Sequence, residues 1–184
     1  ARASCAIFPK TRRAHLADPT MQPVADPLRD RTAAKLHTSR EAAAGAAIVF
    51  ACVGNDDDLR SVVLGIDGAF AGMAPGSVFV DHTTASAAVA RELYAQAKAR
   101  GLAFIDAPVS GGEAGAVNGA LTVMCGGDAA PFDAIGPVAM ALAKAVTRVG
   151  PSGAGQLAKM VNQIAVVGVV QGLAEAIAFG QKAG

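Results

Sequence analysis

The sequence predicts an α/β fold: a doubly wound, mostly parallel sheet followed by the start of a long helix. Three observations predict it. Apolar runs of strand length alternate with helix-period segments at the spacing of strand–helix–strand units. The run "AAIVFACV" (46–53) is apolar without interruption, as a strand buried on both faces should be. Glycines or hydroxyl residues follow the strand-like runs at Gly54-Asn55, Thr83-Thr84 and Ser110-Gly111-Gly112. Ligands of open parallel sheets bind beyond the carboxyl ends of the strands, so these turns on one rim predict a site.

The elements follow in order. Residues 1–40 carry four prolines between 5 and 31, scattered charges and no sustained apolar period, which predicts an irregular segment. After the strand at 46–53, "NDDDLRSVVLG" places acidic residues where a first helical turn favours them. A second strand is read at 76–84 and an amphipathic helix at 86–101, with Val89, Leu93 and Ala97 on one stripe and Gly101 as its stop. "AFIDAPV" and "ALTVMCGGD" are read as the third and fourth strands. "PFDAIGPVAMALAK" is a helix after a proline start, and "AVTRVG" a short fifth strand. From Gly153 one helical segment runs to the end. The expected organisation is an irregular segment at 1–40, an α/β domain at 41–151, and a long helix at 152–184.

Composition narrows the function classes. Hydrophobic residues make up 52% and charged residues 17% of the 184, a globular balance. A net charge of +1 gives no electrostatic footprint for nucleic acid or an anionic membrane. The most apolar run, "IAVVGVV" at 164–170, is far short of the roughly 20 residues that span a bilayer. No apolar stretch near the first residue resembles a secretory signal, and a cytoplasmic protein is expected. Cys5, Cys52 and Cys125 lack CxxC spacing and are expected as reduced thiols, the last two in the core. His15, His37 and His82 lack ligand spacing, so no metal site is expected.

Two constellations carry chemistry. In "DAPVSGG" the glycines let backbone N–H groups approach a ligand, and Ser110 adds a hydroxyl donor, a combination suited to a small carboxylate. A tight structural turn is the other reading. Gly115, Asn118 and Gly119 extend the pattern into a structured loop. In "GAGQLAKMVNQ" Lys159 and Asn162 stand three apart on one helix face. A lysine withdrawn from water is suited to proton exchange; a solvated polar stripe is the alternative. Leu157, Val161 and Ile164 are expected to pack.

Over about residues 41–184, "DAPVSGGEAGAVNGALTVMCGGD" with "GPSGAGQLAKMVNQ" resembles the β-hydroxyacid dehydrogenases, most of all 3-hydroxyisobutyrate dehydrogenase and its semialdehyde- and glyoxylate-reducing relatives. The resemblance implies a partial Rossmann-like cofactor-binding domain at 41–151, an interdomain helix at 152–184 that starts a helical domain, and hydride transfer between NADP or NAD and a small hydroxyacid or semialdehyde. Ser110, Gly111 and Gly112 would then bind the substrate carboxylate. Lys159 would be the general acid or base, and Asn162 would hold the substrate. Val53, Gly54, Thr84 and Asp58 would contact the cofactor. Arg31 and Thr32, with Lys35, would face a 2′-phosphate and favour NADP. Gln163 stands where some members have a second asparagine. A homo-oligomer is expected.

The chain departs from the family at both ends. A GxGxxG turn should follow the first strand and present a helix N-terminus to the pyrophosphate, yet residues 1–30 contain no glycine. The chain ends at Gly184, inside the expected interdomain helix. The alternative function is therefore a non-catalytic module that binds small carboxylates or a partner. With its apolar helix uncovered, the chain alone is expected to self-associate and to bind NAD(P) weakly or not at all.

Overall fold

Alternation along the strands sorts the side chains onto two faces of one sheet. In this computed structural model, residues 38–184 are described in full, together with the backbone of two strands near the start. Those two are β1 (Ser4–Phe8) and β2 (Ala14–Leu16), so part of the segment expected to be irregular pairs into the sheet. The central strands β3 (Ile48–Cys52), β4 (Val78–Asp81) and β5 (Ala103–Asp106) run parallel. Helices α1 (Ser39–Ala43), α2 (Asp56–Leu64), α3 (Ala69–Gly72) and α4 (Ala87–Lys98) supply the layer on one face. There Val49, Phe79 and Phe104 meet Leu59, Val63, Phe70, Val89 and Leu93; the Phe79 and Phe104 rings stack at 5.9 Å. Their sequence neighbours Phe50, Val80 and Ile105 point the opposite way, onto Val123 and Ile135. Val89, Leu93 and Ala97 are all fully buried, as the helical stripe predicts.

Beyond β5 the sheet becomes mixed. The run 103–110 is interrupted at Ala107-Pro108 and resumes as β6 (Val109–Ser110). β5 and β6 both pair antiparallel with β7 (Leu121–Gly126), in one register: Asp106 opposite Gly126, Val109 opposite Val123, Ser110 opposite Thr122. The chain thus leaves β4 and takes β7 as its neighbour at the proline, which lacks an N–H but whose carbonyl accepts Met124 N–H at 3.0 Å. Between β6 and β7 the expected structured loop contains a short helix, α5 (Gly112–Val117). Helix α6 (Ala129–Ala139) follows, and β8 (Ala143–Gly150) lies parallel to β7.

The last element, α7 (Ala154–Ala183), starts on the sheet and then leaves it. Gly155, Gln156 and Lys159 are buried, whereas Leu157, Val161 and Ile164, expected to pack, are exposed. By length and composition α7 is apolar enough to cross a membrane. The sequence reading counted only an unbroken apolar run; uncharged glutamines and glycines interrupt such a run without making the helix polar. Cys125 is buried as expected, but Cys52 is exposed because it closes β3 at the rim.

Two glycines set how closely α7 approaches the sheet. A Cβ at Gly155 would lie 2.4 Å from the Met124 carbonyl oxygen and 2.7 Å from that of Asp106. A Cβ at Gly126 would lie 2.6 Å from the Asp106 carboxylate. Neither set of atoms can yield without moving the helix, so Gly155→Ala should destabilise the fold by on the order of 3 kcal/mol in denaturant unfolding. Gly168→Ala, with open space around it, should be neutral or stabilising.

Candidate functional site

The rim above β3 and β4 is built by side chains that cap helices and tie loops together. Asn55 accepts the N–H groups of Asp57 and Asp58, each at 2.9 Å, and so starts α2 immediately after the strand. Across the rim, Thr83 Oγ1 accepts Val53 N–H at 3.0 Å, joining the two loops. Asp81 Oδ1 accepts Thr83 N–H at 2.9 Å. Ser86 caps α4 by accepting Val89 N–H, and its own N–H and hydroxyl both donate to Asp56. Burial pushes the Asp56 carboxyl up, but these Ser86 hydrogen bonds and the Arg60 charge together outweigh it and hold it below the usual range.

Between the two loops lies a cleft of about 480 Å³ lined by Gly54, Asn55, Asp56, Asp57, Thr84, Ala85, Ser86 and, from α7, Met160. Of the residues expected to contact a cofactor, Gly54 and Thr84 lie in its walls. Val53 packs on the core, and Asp58 Oδ2 accepts the Asn55 side-chain amide at 3.0 Å. Arg31, Thr32 and Lys35 lie outside the described residues.

Under the cleft, Asp81 and Asp106 are cross-strand neighbours and both are fully buried. Asp106 caps α7: its carboxylate accepts Gly153 N–H at 2.7 Å and Gln156 N–H at 3.1 Å. Burial still leaves the Asp106 carboxyl raised, against the pull of those N–H groups. Asp81, with fewer donors and one oxygen unpartnered, is pushed up to about 7, mainly by burial and further by the nearby Asp106 and Asp56 charges. Next to it the His82 ring stacks on Phe50 and donates Nδ1–H to the Ala107 carbonyl at 2.6 Å. Burial pushes the imidazole down, favouring its neutral form.

The second constellation divides between two elements. Ser110 ends β6, half-buried, and Gly111 and Gly112 follow at φ 135° and 61°, conformations that favour glycine. A Cβ on Gly112 would meet open space; one on Gly111 would press Leu121 at 3.2 Å. Lys159 lies in the second turn of α7, only 8% exposed. Among the described residues its ammonium has no ion-pair partner. Asn162, half-buried on the same stripe, donates to the Gln163 side chain at 3.2 Å. Sequence reasoning passed over Gln156, Asp106 and Asp81. The signal for Gln156 was its position three residues before Lys159, on the same helical stripe.

Residues 13–150 match the family model described as the NAD binding domain of 6-phosphogluconate dehydrogenase. The chain belongs to this family. The match begins at residue 13 and so takes in most of the segment expected to be irregular. The chain is 60% identical over 150 residues to an uncharacterised oxidoreductase of Shewanella frigidimarina, covering 82% of this chain and 52% of that protein. It is 36% identical over 165 residues to Escherichia coli 2-hydroxy-3-oxopropionate reductase, covering 90% of this chain and 56% of the reductase. Among solved structures, Mycobacterium tuberculosis 3-hydroxyisobutyrate dehydrogenase with L-serine matches at a TM-score of 0.76 and 32% identity, over 82% of this chain and 51% of that one. The chain thus spans about half the length of the curated relatives it matches. The family is an NAD-binding one, and the cleft suits the cofactor: it lies at the carboxyl ends of parallel strands, with a bare glycine, amide and hydroxyl groups, and an apolar methionine wall.

The buried aspartate gives a pH signature. The folded-state value of Asp81 lies above its ordinary 3.8, so its contribution to stability is present in acid and is lost as pH rises towards 7. The lowered His82 acts in the opposite sense, costing stability as pH falls through its ordinary 6.5. Asp81→Asn keeps an acceptor for Thr83 N–H. Thermal unfolding of the variant should therefore gain on the unaltered protein as pH goes from 4 to 8, most steeply below about 7.

Proposed function

We propose that this chain carries the cofactor cleft and reacting lysine of an NAD(P)-dependent oxidoreductase acting on a small 3-hydroxy acid or its semialdehyde. The observation that supports it most is Lys159, a nearly buried cation without an ion-pair partner among the described residues. Burying a charge unpaired is costly, and such a cost is kept where the group serves an incoming ligand. The same helix lines the cleft with Met160, one residue on.

In this reading Gly54, Asn55 and Thr84 hold the nicotinamide end of the cofactor. When bound, the nicotinamide supplies the hydride chemistry. The chain's own residues do the rest. Backbone N–H groups at Gly111 and Gly112 and the Ser110 hydroxyl receive the substrate carboxylate. The Lys159 ammonium stabilises the carbonyl oxygen and gives it a proton in reduction; the neutral amine takes the proton back in oxidation. Asn162 orients the substrate. Arg31 and Thr32 favour NADP. The names of relatives that include a 2-hydroxy-3-oxopropionate reductase, an NAD-dependent L-serine dehydrogenase and 3-hydroxyisobutyrate dehydrogenase-like proteins support the substrate class. The exposed apolar side of α7, with Ile164 74% and Phe179 72% accessible, supports a homo-oligomer.

In an active form of the protein, Lys159→Ala should lower turnover roughly 10²–10⁴-fold and leave cofactor affinity unchanged. A steady-state loss below about tenfold would remove Lys159 from the chemistry. Gly111→Leu should weaken hydroxyacid binding far more than cofactor binding in paired titrations. Equal losses would make the turn structural.

A further inference from the structure

Gln156 is fully buried and has every polar group of its amide engaged. Its Oε1 accepts Ala85 N–H at 3.0 Å, and its Nε2 donates to the Thr83 carbonyl at 2.7 Å. Its own backbone N–H donates to Asp106. The side-chain amide therefore pairs with the backbone of residues 83 and 85 much as a neighbouring strand would. Thr84, the exposed residue between them, lies in the cleft wall. Three residues further along α7, on the same face, stands Lys159. The other ties of this wall, Ser86 to Asp56 and to the first turn of α4, and Thr83 to Val53 and Asp81, lead to α2, α4 and the strand ends. Only the Gln156 amide links the wall by hydrogen bonds to the helix that carries the lysine, among the described residues.

We infer that Gln156 is a positioning residue: it locks the Thr84 wall of the cleft to α7 and so fixes the register between the bound cofactor and Lys159. The inference rests on the functional reading above for what occupies the cleft, but the clamp itself does not. If α7 shifts or turns at its docked end, the wall and the lysine move together. Without the clamp they move separately, and the segment 83–85 is left with a buried donor and a buried acceptor unpaired.

Amide hydrogen exchange read by NMR tests the clamp with no cofactor present. In the unaltered chain the Ala85 amide should be protected. In Gln156→Leu its exchange should rise roughly tenfold or more, one lost buried hydrogen bond, while Val80 and Ile105 in the sheet change little. An Ala85 amide that exchanges freely in the unaltered chain overturns the inference even if the variant fails to fold. So does a Gln156→Leu variant in which Ala85 and the sheet amides speed up equally, because Gln156 would then serve only global stability. Titration of both proteins with NADPH separates the two readings. Local loosening at Ala85 with affinity weakened about tenfold supports both. Local loosening in a chain whose cleft binds no cofactor leaves the clamp and removes the cofactor. Local loosening with unchanged affinity overturns the positioning role.

Discussion

The contact between the buried Asp106 carboxylate and the first turn of α7 sets the position of everything that α7 contributes. A helix N-terminus presents unpaired N–H groups and partial positive charge, and a carboxylate is their natural partner. Here that carboxylate comes from the end of a central strand, and the Gly153, Gly155 and Gln156 N–H groups converge on it. The close approach is possible because Gly126 and Gly155 carry no side chain where the helix crosses the sheet. From this one anchor follow the buried Gln156 amide, the buried Lys159 and the Met160 wall of the cleft. Beyond Lys159 the helix has no such contact among the described residues, and its apolar residues are exposed.

The anchor places a charge beside a second one. Asp81 lies across the strand from Asp106, and neither is reached by solvent. Asp106 is compensated by a helix end; Asp81 has the Thr83 loop and one oxygen left over. The difference in donors explains why the carboxyl with the poorer compensation is pushed up to about 7. That same loop, pulled in by Asp81, is then held from the other side by Gln156. The cleft wall is thus a consequence of two buried aspartates and one buried amide, none of which touches the cleft itself.

Much of the parallel centre was legible in the sequence. Continuous apolar runs identify strands covered on both faces, and the Val89–Leu93–Ala97 stripe identifies the helix that covers them. The direction of β7 was not legible, because a strand's alternation is the same whichever way it runs; only Pro108 hinted that the chain changes neighbours. The strands at 4–8 and 14–16 were hidden by the prolines around them. The turn and lysine motifs of the candidate site stood out, since glycine and lysine are conspicuous in apolar surroundings. Gln156, Asp81 and Asp106 did not. A polar residue at a strand end or in a first helical turn reads as surface, and the burial of Asp106 and Gln156 depends on contacts between residues 47 to 73 positions apart.

The most direct measurement is amide chemical-shift mapping of the chain with NADPH at concentrations high enough to populate a weak complex. The largest changes are expected at Gly54, Asn55, Thr84 and Met160, with smaller ones at Ala85 and Gln156 behind the wall. Changes confined to the exposed apolar side of α7 between Ile164 and Phe179, or spread evenly over the surface, would contradict the cleft as the cofactor site.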